Sequence, residues 1–127
     1  MELADEAASA LREVEATSAG FTAQLCLSEG AAVLAGHFPG HPVVPAVYLI
    51  EAAIAAAGRA RGTGALRGVR SAKFLREVGP GALTLLEGRL EAVGAPEAPS
   101  GWILDAEFTL EGERAALLCL DLAPERR

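Results

Sequence analysis

Two residues suited to proton transfer, His37 and Glu51, lie fourteen positions apart in a stretch that reads GHFPGHPVVPAVYLIE from Gly36 onward. Imidazole titrates near neutral pH, so His37 can accept a proton, and a carboxyl group can donate one where apolar surroundings keep it neutral. Glu51 is also the single Asp, Glu, Lys or Arg between Glu29 and Arg59. Such a pair is typical of general acid–base chemistry.

The residues around Glu51 predict a buried helix that begins after Pro45 and ends at Gly58. Positions 46–57 are apolar on every side except at Glu51. A helix that is hydrophobic all round is a buried helix, and proline suits a helix start as glycine suits its end. Glu51 is then either a solvent-facing residue on a partly exposed helix or a carboxyl group held in an apolar site for chemistry. Because no other residue of the helix indicates a solvent-exposed face, a carboxyl group held in an apolar site is the favoured interpretation.

The stretch resembles the signature of the 3-hydroxyacyl-acyl-carrier-protein dehydratases of the FabA/FabZ type, whose pattern runs roughly GHFPG-x-P-x-x-PG-V-x-x-x-E-A. A weaker similarity follows at residues 73–81, KFLREVGPG, which is like the family's KFLRPVRPGD. The resemblance covers most of the chain from about Leu11 onward. It implies a hotdog fold of the α+β class, in which an antiparallel sheet wraps around one long buried central helix.

The resemblance also implies a reaction, the removal of water from a 3-hydroxyacyl thioester to give the trans-2-enoyl thioester. His37 would take the C2 proton, and Glu51 would protonate the departing 3-hydroxyl group. The backbone N–H of Ala46, at the helix N-terminus, would hold the charge that builds on the thioester oxygen. The substrate would arrive on the phosphopantetheine arm of an acyl carrier protein, in fatty-acid, polyketide or related lipid biosynthesis.

Further implications concern partners and the substrate path. The family pairs histidine and glutamate across a dimer interface, so a homodimer with shared active sites is implied, without a protein-bound cofactor or a metal. The residues expected to contact substrate are Phe38, Pro39, Gly40, Val44, Pro45 and Tyr48, although core packing accounts equally well for Tyr48. The chain departs from the family at Ala46, where a glycine is usual, and at Ala55, where a glutamine often orients the acid. Ala46 keeps its N–H, whereas Ala55 removes a side-chain hydrogen bond.

Positive charge is concentrated just after the predicted helix. Residues 52–76 contain no acid but six of the eleven basic residues of a chain whose net charge is −6. The cluster is either a solvated surface or a docking patch for an acidic partner. Acyl carrier proteins are acidic, so the expected docking residues are Arg67, Arg70, Lys73 and Arg76.

The order of elements agrees with the implied fold. We expect a single domain over residues 1–127, with either a short helix or a frayed end at 1–10. Alternating apolar and polar residues predict strands at 11–16, 21–27, 69–78, 83–93, 102–110 and 115–122, separated by a flexible connection at 59–68 and a loop at 94–101. The apolar face of an antiparallel sheet must be shielded from water by another element, and the predicted helix is the one candidate.

Composition excludes several classes of protein. The acidic charge balance argues against general nucleic-acid binding. Cys26 and Cys119 lie in apolar runs, which favours reduced core residues in a cytoplasmic protein. The acidic start is unlike a secretory or transit peptide, and residues 42–58 are too short for a membrane span.

Three alternatives stay open at this point. His41 competes with His37 for the role of base, although it falls at a variable position of the signature, and a His–His–Glu metal site is disfavoured by the lack of further ligands. A hotdog acyl thioesterase would use Glu51 to activate water. A non-catalytic hotdog subunit would bind acyl carriers or pair with an active relative.

Overall fold

The computed structural model describes residues 3–27 and 44–125. The described chain contains two helices and six strands. The helices are α1 (Leu3–Ala10) and α2 (Ala46–Arg61), and the strands are β1 (Leu11–Ala16), β2 (Gly20–Leu25), β3 (Leu66–Phe74), β4 (Thr84–Ala95), β5 (Ala98–Leu110) and β6 (Glu113–Leu122). The predicted residues His37, Phe38, Pro39, Gly40 and His41 lie outside the described residues.

All six strands join one antiparallel sheet in the order β1-β2-β4-β5-β6-β3. The alternation read from the sequence of β5 is confirmed, because Leu104, Ala106, Phe108 and Leu110 are buried while Asp105 between them is exposed. This period of two gives the sheet one apolar face, which needs a cover.

Helix α2 supplies part of that cover. Its buried face consists of Tyr48, Leu49, Ala52, Ala53, Ala56, Ala57 and Gly58. The short alanine side chains let the helix axis lie close to β1 and β2, which it contacts together with α1. The core therefore sits between α2 and the apolar face of the sheet.

The helix differs from its prediction in two respects. It ends at Arg61 rather than at Gly58, since Gly62 takes the left-handed conformation (φ 73°) and its N–H donates to the Gly58 carbonyl at 2.9 Å. It is also not buried all round. Ala46 and Val47 are exposed and Ile50, Glu51, Ile54 and Ala55 are half-buried, so the long helix enclosed by the sheet is not confirmed.

Three other boundaries differ from the sequence prediction. The loop predicted at 94–101 is the end of a hairpin, in which β4 continues to Ala95 and β5 starts at Ala98. The flexible connection expected at 59–68 shrinks to residues 62–65, because α2 and β3 both extend into it. Strand β3 in turn ends at Phe74 rather than at position 78. The N-terminal segment forms the short helix α1 rather than a frayed end.

The two cysteines are free thiols, as predicted, but each is half-buried rather than in the core. Burial raises the pKa of the Cys119 thiol, and a hydrogen bond with Asp105 raises it further. Neither helix in the described part of the chain is long and apolar enough to cross a membrane.

Candidate active site

Glu51 occupies the middle of α2, on the face that the sheet leaves partly open. Residues spaced by three or four positions share one face of a helix, so Val47, Glu51 and Ala55 lie in one row. Val47 is 55% exposed, and the carboxylate of Glu51 makes no hydrogen bond or ion pair with any residue of the described segments. The expectation of a fully buried Glu51 is therefore wrong for a single protomer. Glu51 is nevertheless isolated on a helix face that is otherwise uncharged, as the sequence predicts.

The N-terminus of α2 is anchored from the segment before β4. The N–H of Val44 donates to the Val78 carbonyl at 2.7 Å, and Pro45 forms the N-cap without a side-chain hydrogen bond. The first N–H groups of a helix have no partner within it, and Ala46 is exposed. Within the described residues no carbonyl accepts the Ala46 N–H, which lies at the positive end of the helix dipole.

The remaining predicted contact residues in this region fall into two groups. Val44 is buried and Pro45 is half-buried beside the open start of α2. Tyr48 is 0% exposed, and its hydroxyl group donates to the Glu6 carbonyl of α1 at 3.2 Å. Burial, followed by the charge of Glu6, raises the pKa of Tyr48 above its usual range. Of the two roles proposed for Tyr48, the described residues favour core packing that ties α1 to α2.

The predicted docking residues are on or next to β3, but most of them already bind the protein itself. Arg70 forms an ion pair with Asp121 at 2.8 Å, and Arg67 donates to the Ser100 carbonyl at 2.7 Å. Arg76 donates to the Leu110 carbonyl at 3.0 Å and contacts two glutamates, Glu111 and Glu113, of the β5–β6 turn. Lys73 is exposed and has no ion pair within the described segments. It is therefore the cation of this patch most available to an acidic partner.

Sequence reasoning missed an apolar surface on the core side of β3. Directly paired residues point to the same face, and Leu66, Val69 and Phe74 pair with Leu122, Leu120 and Ala116 of β6, which are buried. The three β3 residues nevertheless remain 38%, 48% and 44% exposed. Strand β3 is also an edge of the sheet, because among the described strands it pairs with β6 alone. The sequence does contain a signal for this surface: β3 carries apolar residues, and the sequence predicts no helix that remains to cover them.

A cavity of about 950 Å³ was also missed. It lies between the C-terminal half of α2, the start of β3, the tip of the β4–β5 hairpin and the chain after β6. Its lining comes from segments far apart in the sequence, so no local pattern predicts it. No group of three His, Cys, Asp or Glu residues that could hold a metal occurs in the two described segments.

Comparison with solved structures defines the fold class. The chain is similar to a structure described as the dehydratase heterocomplex ApeI:P from Xenorhabdus doucetiae, with a TM-score of 0.69 and 22% identity over 84% of this chain and 89% of that one. It is also similar to a hypothetical thioesterase solved with coenzyme A from Streptococcus pneumoniae, with a TM-score of 0.66 and 14% identity over 98% and 97% of the two chains. These likenesses and the six-stranded antiparallel sheet with its helix define a hotdog fold.

The family follows from the sequence comparison. Residues 13–96, two thirds of the chain, match the ApeI-like family of ApeI dehydratases. A 66-residue segment is 46% identical to the 3-hydroxyacyl-[acyl-carrier-protein] dehydratase FabZ of Thermus thermophilus, and it spans 45% of this chain and 46% of that protein. The aligned part is thus about half the length of that relative. The chain belongs to the ApeI-like dehydratase family.

Proposed function

We propose that this protein removes water from 3-hydroxyacyl thioesters on an acyl carrier protein to give trans-2-enoyl thioesters. The observation that carries the proposal is Glu51, the one charged residue between Pro45 and Arg59, on the open face of α2 at the position of the family's acid. Membership of a dehydratase family supports the reaction class.

The proposed chemistry uses two side chains and one backbone group. His37 accepts the C2 proton, and the electrons left behind shift onto the thioester oxygen, where the Ala46 N–H and the dipole of α2 stabilise the charge. When the electrons return, the C2–C3 double bond forms and the C3–O bond breaks. Glu51 protonates the leaving hydroxyl group, which departs as water. After the reaction, His37 releases the C2 proton to solvent and Glu51 takes up a proton from solvent, which restores both groups.

A homodimer with shared active sites is part of the proposal. The open face of α2 and the exposed apolar side of β3 give one protomer two surfaces that a second copy could cover. Long unpaired edge strands with apolar side chains invite pairing with another chain. Covering α2 would take water away from Glu51, which is what an acid that must stay protonated requires. The partner would contribute its His37 to this site, as the family does.

The substrate would arrive on a phosphopantetheine arm, and Lys73 would attract the acidic carrier. No protein-bound cofactor or metal is needed, because the two protonatable groups and the helix N-terminus supply the chemistry. A cytoplasmic location fits the free thiols. The carrier would serve fatty-acid, polyketide or related lipid biosynthesis.

The experiment incubates the purified protein with a 3-hydroxyacyl acyl carrier protein. It measures the enoyl product by its absorbance, the released acid by titration, and the binding of the carrier separately. Enoyl product that depends on both His37 and Glu51 supports the proposal. Free acid and a free thiol would instead identify a thioesterase, in which Glu51 activates water. Neither product, with carrier binding intact, would identify a non-catalytic subunit.

A further inference from the structure

The segment that joins β3 to β4 spans residues 75–83, and Arg76 near its start binds the β5–β6 turn. The Arg76 guanidinium group donates to the Leu110 carbonyl at 3.0 Å. It also forms ion pairs with Glu113 at 3.1 Å and with Glu111 at 3.5 Å. One planar guanidinium group can serve several acceptors in a fixed geometry, which the single charge of a lysine cannot do. Arg76 therefore fixes the β3–β4 segment to the end of the neighbouring hairpin.

The β3–β4 segment in turn holds the start of α2. The N–H of Val44 donates at 2.7 Å to the carbonyl of Val78, which follows Arg76 by two positions. Val44 and Val78 are 6% and 4% exposed, so this hydrogen bond joins two residues of the core. Pro45 comes next and caps the helix, whose first residue is Ala46. A displacement of Val78 would therefore act directly on the helix N-terminus.

A second hydrogen bond joins the β3–β4 segment to the chain after β2. The N–H of Gly81 donates to the Leu27 carbonyl at 2.7 Å, and Leu27 is also buried. In the sequence, Leu27 and Val44 flank residues 28–43, and His37 lies within that stretch. The β3–β4 segment thus binds the chain on both sides of the stretch that contains the proposed base.

The position of the helix N-terminus matters for the proposed chemistry. The Ala46 N–H and the dipole of α2 would stabilise the charge on the thioester oxygen, and such a donor acts when it lies about 2.7–3.1 Å from that oxygen. Removing one donor of this kind typically lowers kcat by about 10²–10³-fold, and a displacement of about 1 Å can cost about 10²-fold. A contact that fixes this terminus can therefore control the rate from outside the substrate site.

We propose, on the basis of the proposed function, that Arg76 is a positioning residue for the dehydration. It holds the β3–β4 segment against the β5–β6 turn, so that the Val78 carbonyl fixes the start of α2. This role differs from the carrier docking that the sequence predicts for Arg76. A docking residue acts on the binding of the carrier, whereas a positioning residue acts on the turnover of every substrate, with or without a carrier.

The experiment compares Arg76→Gln with Arg114→Gln. Arg114 lies on β6 and pairs with Glu107 at 3.1 Å, so this control removes the same charge and one ion pair next to the same turn. Turnover of a short 3-hydroxyacyl pantetheine thioester is measured well below the Tm of each variant. We expect Arg76→Gln to lower kcat by about 10–100-fold with little change in KM. Arg114→Gln should leave both constants unchanged.

The conservative variant Arg76→Lys keeps the charge but loses the guanidinium fork. It should recover part of the activity and lower kcat by about 3–10-fold. If Arg76→Gln does not fold, Arg76→Lys takes its place, and an unchanged kcat in that variant would overturn the inference.

Other roles of Arg76 lead to different results, each of which would overturn the inference. A rise in KM that occurs with carrier-bound substrate alone would identify a docking residue. A lower Tm with an unchanged kcat would identify a contact that serves stability only. Equal losses of kcat in Arg76→Gln and Arg114→Gln would show that the charge of this surface matters, and not the hold on the β3–β4 segment.

Hydrogen exchange separates this inference from the proposed function. The Val44 amide exchanges when its bond to Val78 opens, whereas Leu104 lies in the middle of the sheet and reports on its global opening. The ratio of the Val44 rate to the Leu104 rate should rise by about tenfold in Arg76→Gln. It should stay unchanged in Arg114→Gln.

An unchanged ratio in Arg76→Gln would overturn the inference even if kcat fell. The expected rise in the ratio, without any enoyl product from the wild-type protein, would refute the proposed dehydratase function while the link between Arg76 and α2 stands. Enoyl product from the wild-type protein and an equal kcat in Arg76→Gln would refute the positioning role alone.

Discussion

Replacing Glu51 with glutamine should separate activity from stability. Glutamine keeps the length and hydrogen-bonding capacity of the side chain but cannot deliver an acidic proton. General acid–base catalysis typically contributes about 10²–10⁴-fold, so Glu51→Gln should lower kcat by that factor. The side chain is half-buried and has no partner within the described segments. Substitutions at such positions stay within about 0.5 kcal/mol, which corresponds to about 2 °C in Tm for a chain of this size.

The assay measures kcat and Tm on the same purified variant. Glu107→Gln is the matched control, because Glu107 is also half-buried but lies on the sheet, 3.1 Å from Arg114. Losing that exposed ion pair should cost at most about 1 kcal/mol and leave turnover unchanged. Near-normal turnover in Glu51→Gln would refute the catalytic assignment. A large fall in Tm together with the rate would show that Glu51 is a structural anchor instead.

Four further sets of substitutions test the base, the dimer interface, the docking patch and the contact between α1 and α2. His37→Ala should abolish turnover while His41→Ala largely spares it; equal losses in two folded variants would indicate a different base. Val69→Lys should dissociate the dimer in light scattering with little effect on protomer folding, because this side chain is 48% exposed in one protomer; an unchanged mass would exclude β3 as the interface. Lys73→Glu should raise KM several-fold for carrier-bound substrate but not for a pantetheine thioester, and equal KM values would make Lys73 an ordinary surface residue. Tyr48→Phe should cost about 0.5–1.5 kcal/mol by removing its hydrogen bond to Glu6 and keep turnover. Since the folded state raises the phenol pKa above its ordinary 10.0, wild-type stability should fall as pH rises beyond that value, and the variant should lose this fall.

The fold was predictable where local pattern determines it. The alternation of apolar and polar residues predicted strands at 102–110 and 115–122 correctly, because one face of β5 and β6 is more buried than the other. Helix α2 was predicted, but its C-terminal end was not. Gly58 lies within the helix, and Gly62 caps it in the left-handed conformation. The prolines between 94 and 101 suggested a loop, although Pro96 lies in the turn and Pro99 pairs with Gly94 at the end of the ladder. Proline at a strand end removes few ladder hydrogen bonds.

For the candidate site, the sequence predicts a pair of reactive groups rather than a geometry. The spacing of His37 and Glu51 predicts an acid–base pair, and the match to a dehydratase family supports the reaction class. The roles of the two residues stay predictions. The open face around Glu51 was not predictable from the sequence. An apolar helix face has the same sequence pattern whether the protomer's own sheet covers it or a second copy does. The cavity beside Ala55 depends on tertiary contacts between distant segments, which no local sequence pattern encodes.

The most direct test of the proposed dehydration is the intact mass of an acyl carrier protein that bears a 3-hydroxyacyl chain, before and after incubation with this protein. We expect the carrier to keep its chain and to lose the mass of one water, and we expect Glu51→Gln to slow this change by about 10²–10⁴-fold. A carrier that returns to the mass of its free thiol would show thioester hydrolysis. That result, or an unchanged mass with carrier that demonstrably binds, would contradict the proposed dehydration.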